Sequence, residues 1–140
     1  MFQYLGILLT MLALASPMAT LVVNTGRAIA TNLISGIGGT VPKYVAWGTG
    51  AGTAGATDTT LFTESAEART SGTVSRTTVT TTNDTFTVVG AIVATAGRVI
   101  TNAGTFDAST SGNLYVKGDF TSITLLTSES IQFTVNVTYS

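Results

Sequence analysis

The sequence predicts a mainly β protein, an antiparallel β-sandwich or barrel with one short N-terminal helix and an apolar N-terminal extension. Three observations predict it. Apolar and β-branched runs recur about every 8–15 residues, separated by Gly, Asn, Asp and Ser turn signals. The stretch Ser130 to Tyr139 alternates cleanly, with Ile131, Phe133, Val135, Val137 and Tyr139 on one side and Gln132, Thr134, Asn136 and Thr138 on the other. Thr supplies roughly a fifth of the chain; it is β-branched and polar, and suits a strand face that is solvated or meets another protein.

Along the chain, residues 1–18 form an apolar arm or signal-like extension, and residues 19–140 a single β-rich domain. Residues 2–15, FQYLGILLTMLALA, are almost unbroken apolar sequence. They are too few to cross a hydrocarbon core about 30 Å thick, and Ser16-Pro17 interrupts any extension. Three readings stay open. The segment is an arm or helix buried against another subunit, or a signal-like segment in which Ala13-Leu14-Ala15 resembles a cleavage site without a basic n-region, or an extension upstream of a start at Met18.

Asn24-Thr25-Gly26 opens a short helix, with Asn24 or Thr25 as N-cap. Ala28, Ile29, Leu33 and Ile34 share roughly one face, and Gly36 closes the helix. Residues 43–47 read as a strand, and residues 48–60 as a long Gly, Ala and Thr loop. Residues 61–68 make a helical turn or two with Glu64 and Glu67 exposed. Residues 73–82 are a strand with a Thr-rich face, and Asn83-Asp84 a turn. The strongest strand is 85–95, where Gly90 marks a bulge. Residues 98–102 are another strand, which 104–108 continue or follow. After the polar turn 109–113, residues 114–117 and 120–126 are strands divided by a turn at Gly118-Asp119.

Charged residues are only 9% of the 140, against a usual share of about 25%, and the net charge is −1. Arg27, Lys43, Arg69, Arg76, Arg98 and Lys117 are scattered, so no basic patch for nucleic acid exists. Low charge also gives weak repulsion between copies, which favours assembly. There is no Cys and no His. Disulfides and thiolate chemistry are therefore excluded, as are the commonest general base and zinc ligand.

The remaining motifs carry little chemistry. Gly50-Ala51-Gly52-Thr53-Ala54-Gly55 matches G-x-G-x-x-G, but no helix-opening sequence follows and no βαβ pattern surrounds it, so it reads as a flexible loop. Asp84, Asp107 and Asp119 sit at turns or strand ends, where Asp bonds locally. They lack the D-x-D-x-D spacing of a calcium loop. Spacing alone leaves open a glycosidase-like carboxylate pair. Ser nucleophiles have neither His nor a G-x-S-x-G elbow. Trp47, Tyr44 and Tyr115 suit core or interface packing ahead of a sugar-binding platform. Asn83-Asp84-Thr85 and Asn136-Val137-Thr138 match the glycosylation acceptor by composition alone. No catalytic, cofactor-binding or metal-binding residue is assigned, no cofactor is expected, and the chain does not read as an enzyme.

Several segments resemble one family: VVNTGRAIATNLISG, PKYVAWGTG, EARTSGTVSRTTVTTTNDTF, GRVITNAGTFDASTSGNLYVKGDF and the ending SIQFTVNVTYS. They are similar to small tailed-bacteriophage virion proteins, variously described as tail-fibre-like or capsid decoration proteins, over about residues 19–140. The resemblance implies no catalytic motif. It implies a virion location, on the capsid surface ahead of the tail, as a decoration (cement) protein that forms a homotrimer and clamps the major capsid protein. The alternatives are a tail or tail-fibre accessory protein bound to tail proteins, and a receptor-binding module for host glycans. Nucleic acid, a small-molecule substrate and a membrane are not expected partners.

Overall fold

The computed structural model describes residues 20–139 in full and residues 2–4 by their backbone. In chain order its elements are β1 (Phe2–Tyr4), β2 (Thr20–Val22), α1 (Asn24–Ser35), β3 (Tyr44–Gly48), β4 (Thr70–Ser71), β5 (Thr73–Thr77), β6 (Thr85–Val93), β7 (Arg98–Phe106), β8 (Leu114–Leu125) and β9 (Ser130–Thr138). Two sheets with orders β1-β9-β6-β5 and β2-β8-β7-β3-β4 face each other as a β-sandwich with one short helix. All pairings are antiparallel except β1 with β9. Apart from that strand, the readings of the N-terminal extension fall outside the described residues.

Period-2 alternation sets the core. Val45 and Trp47 of β3, Ile100 and Ala103 of β7, and Phe120 and Leu125 of β8 meet Val88 and Ile92 of β6 and Ile131 and Phe133 of β9. Trp47 packs edge-on to Phe133, with ring centroids 6.2 Å apart at 65°. Burying each such side chain contributes about 2–3 kcal/mol. The β9 alternation places Ile131 and Phe133 fully inside, with Val135 against the same cluster.

The opposite face of the β2-to-β4 sheet is covered by the long β3–β4 connection, residues 49–69. Leu61 packs there with Ala46, Phe106, Leu114 and Val23. Below α1, Ile29 meets Tyr115 and Val116. The helix lies directly on β8 because Gly26 has no side chain: a Cβ there would sit 2.1 Å from the Tyr115 carbonyl oxygen.

Several elements differ from the sequence reading. The N-cap is Val23, without a side-chain cap bond, because Thr25 Oγ1 donates instead to the Leu114 carbonyl, 2.7 Å away. Gly36 does close the helix in the left-handed region, at φ 68°. Of the expected apolar face only Ile29 is buried; Ala28, Leu33 and Ile34 are exposed. Residues 61–68 are not helical. Glu64 bridges to Gly48, and Glu67 is buried among five donors, so both are held by tertiary bonds.

The strand expected over 73–82 stops at Thr77, because Asp84 draws the N–H groups of Val79, Thr80 and Thr81 into a loop. Gly90 makes no bulge; β6 pairs with β9 in unbroken register. A Cβ at Gly90 would meet Val45 Cγ2 at 2.7 Å, so Gly lets the two sheets approach. The register shifts lie in the β7–β8 pair, between Ile100 and Asn102 and between Thr105 and Phe106. β7 is one strand from Arg98 to Phe106. β8 runs straight through Gly118-Asp119, since Gly118 pairs with both Thr20 and Ala103 and Asp119 bonds the distant Ala54 N–H.

Candidate functional site

All seven carboxylates of the chain accept hydrogen bonds from the chain itself. Glu67 Oε2 accepts from Trp47 Nε1 at 3.2 Å and from Ser65 Oγ, while Oε1 accepts from Thr95 N, Thr95 Oγ1 and Arg98 Nε. Burial would push the Glu67 carboxyl up, but these bonds outweigh it and hold it well below the usual carboxylate range. The N–H groups of Thr81, Val79 and Thr80 hold Asp84 below that range too. Its oxygens also accept from Thr80 Oγ1 and Thr85 Oγ1.

The others fasten loops in the same way. Asp58 pairs with Lys117 Nζ at 2.8 Å and accepts from Gly55 N, and these contacts lower its pKa. Glu64 takes both Nε and Nη2 of Arg69, whose Nη1 reaches the Ala108 and Ser111 carbonyls. Asp107 accepts from Asn113, Asp119 from Ala54 N, and Glu129 from Leu126 N. The expected local role fits Asp84 and Asp107. Asp119 instead anchors the 49–69 connection from a strand. The wall under that connection also carries Asn102, fully buried, whose amide joins Gly50 and Phe62. Lys117, 1% exposed, lies 3.1 Å from the Phe62 ring centre. Gly50 to Gly55 is therefore a fastened loop, with Thr101 Oγ1 donating to Gly50 O.

The carboxylates thus act as loop fasteners, spread over both sheets. Among the described residues no group of three or more Asp or Glu is arranged to hold a metal ion, and no helix is long and apolar enough to cross a membrane. The aromatic trio does not gather at the surface: Trp47 and Tyr115 are buried and Tyr44 is half-buried. Part of the Thr-rich face of β5, β6 and β9 satisfies itself, since Thr77 bonds Thr87, Thr87 bonds Asn136 and Thr85 bonds Thr138.

Among the described residues the fold also leaves a groove of about 270 Å³ between α1 and the ends of β5, β6 and β8. Ala30, Leu33 and Ile34 form its helical wall. Phe86 and Tyr115, edge to face at 5.8 Å, form its floor. Arg76, Asn83 and Tyr139 stand around it. Tyr115 Oη lies 3.1 Å from Tyr139 Oη, and burial together with that neighbour pushes the Tyr115 phenol far above its ordinary value. Beyond the helix the chain turns back so that Gly39 lies against Leu33. Ile34 and Ile37 are each 83% exposed. The sequence reading missed this groove; its one signal was an apolar helix face longer than a single buried Ile needs. No protein-family model, no curated protein and no solved structure matches this chain, so the resemblance to bacteriophage virion proteins rests on its sequence segments.

Proposed function

We propose that this chain is a structural, non-catalytic protein of a tailed-bacteriophage virion, acting as a capsid decoration protein that self-associates and clamps the major capsid protein lattice. The quoted sequence segments support the virion setting. The observation that carries the assembly role is how the polar groups are divided. Every side-chain carboxylate accepts a bond that holds a loop, whereas Ile34 and Tyr139 stand exposed at one groove, and Ile37 and Val41 are exposed in the segment that follows α1. Such a surface is built for contact with protein rather than for turnover. Hundreds of copies on a lattice make modest individual contacts sufficient.

A tail accessory role uses the same surface and differs in copy number. The burial of Trp47 and Tyr115 gives no support to the glycan-binding alternative. A cryo-electron map of the intact particle tests the proposal. Density for this sandwich on the outer capsid, repeated at local three-fold positions, is the expected result; density confined to the tail, or none, contradicts it.

A further inference from the structure

We infer that the groove beside α1 is a docking site for a segment of a different polypeptide that carries an aliphatic or aromatic side chain next to a carboxylate. This rests on the assembly reading only in taking the partner to be a protein. Size comes first. Small-molecule pockets run about 300–1,000 Å³, so an open groove of about 270 Å³ suits a side chain or two better than a whole ligand. Its walls of Ala30, Leu33, Phe86 and Tyr115 offer an apolar side chain burial on several sides.

Charge gives the second requirement. Arg76 stands at the groove with no acceptor for its guanidinium among the described residues. Arg27, exposed on α1, lies three and seven residues before Ala30 and Ile34, on the same helical face, and also lacks a side-chain partner there. Among the described residues no side-chain carboxylate lines the groove. The nearest in sequence, Asp84, has both oxygens filled by N–H and O–H donors. The Arg76 guanidinium at an apolar trough, with Arg27 exposed one turn before Ala30 on α1, is complementary to an acidic partner.

A second copy is a poorer source of that acid. Glu64, Glu67, Asp84 and Asp107 have both oxygens bonded within the fold, and Asp58, Asp119 and Glu129 each have one so bonded. The inferred partner brings an acid with the apolar side chain beside it.

The test uses the full chain and fluorescence anisotropy with two labelled octapeptides, one alternating Glu with Leu and one alternating Lys with Leu. The Glu–Leu peptide is expected to bind at least about tenfold more tightly than the Lys–Leu peptide, and to weaken in high salt. Arg76→Glu, which removes the cation, and Ala30→Trp, which fills the trough, should each weaken it about tenfold without lowering the melting temperature. Equal binding of the two peptides, no binding, or binding indifferent to both variants overturns the inference. Two further outcomes also overturn it. Self-association abolished by Ile34→Asp in sedimentation would assign the groove to a second copy, and binding to phosphatidylglycerol vesicles abolished by Arg76→Glu would assign it to lipid. Peptide binding and particle copy number are separate readouts, so failure of one is distinguishable from failure of the other.

Discussion

Trp47 Nε1 donates to Glu67 Oε2 across 3.2 Å, joining a central core ring to a carboxylate that is itself held by Ser65, Thr95 and Arg98. This one acid ties the β3–β4 connection to the β6–β7 turn. Glu67→Ala leaves the indole N–H and Arg98 without their acceptor and is expected to cost about 3 kcal/mol. Urea denaturation measures it; a loss under about 1 kcal/mol would show that the network contributes little.

Acid should destabilise the fold. Asp58, Glu67 and Asp84 all have folded pKa values below their ordinary ones. Their contribution is present above the unfolded pKa and is lost as pH falls through the folded one, because the unfolded chain binds more protons in that window. Melting temperature should hold from neutral pH down to about 5 and fall steadily below about 4. Glu67→Ala should flatten part of that acid limb in a melting series, and an unchanged slope would contradict the assignment.

Alkali should act through Tyr115. Its folded pKa is raised, so its contribution is present below the unfolded value of about 10 and is lost as pH rises beyond it. Tyr115→Phe is expected to remove most of the loss seen above about pH 10, read by the same melting series.

Thr105 is fully buried on β7, and its Oγ1 has no hydrogen-bond partner among the described residues. Thr105→Val keeps the shape and removes the unsatisfied hydroxyl. It should stabilise the protein by about 1 kcal/mol, seen as a higher urea midpoint with unchanged slope.

Gly26→Ala opposes two effects. Ala is the better helix former by about 1 kcal/mol. Its Cβ would fall 2.1 Å from a β8 backbone oxygen that cannot swing away, and such overpacking costs about 1–3 kcal/mol or more. The clash should win, lowering stability and speeding hydrogen exchange across α1. Protection equal to the parent's would show that α1 does not need this contact.

Much of the fold was legible because short-range alternation decides it. Ser130 to Tyr139 shows its faces in its own sequence, as does Thr85 to Val93, and Gly36 marks a helix end wherever the left-handed region is needed. The rest depends on partners far along the chain. Gly118-Asp119 looks like a turn until Thr20, Ala103 and Ala54 are placed beside it. Glu64 and Glu67 look like the exposed face of a helix until Arg69, Trp47 and Arg98 bind them. The groove was hidden for the same reason, since Phe86, Tyr115 and Ile34 come from three distant elements.

The proposed function has this chain assembling on a capsid in many copies. Quantitative mass spectrometry of purified virions from the genome encoding it tests that most directly. Hundreds of copies per particle, in a simple ratio to the major capsid protein, are expected. A dozen copies or fewer, or absence from the particle, would contradict it.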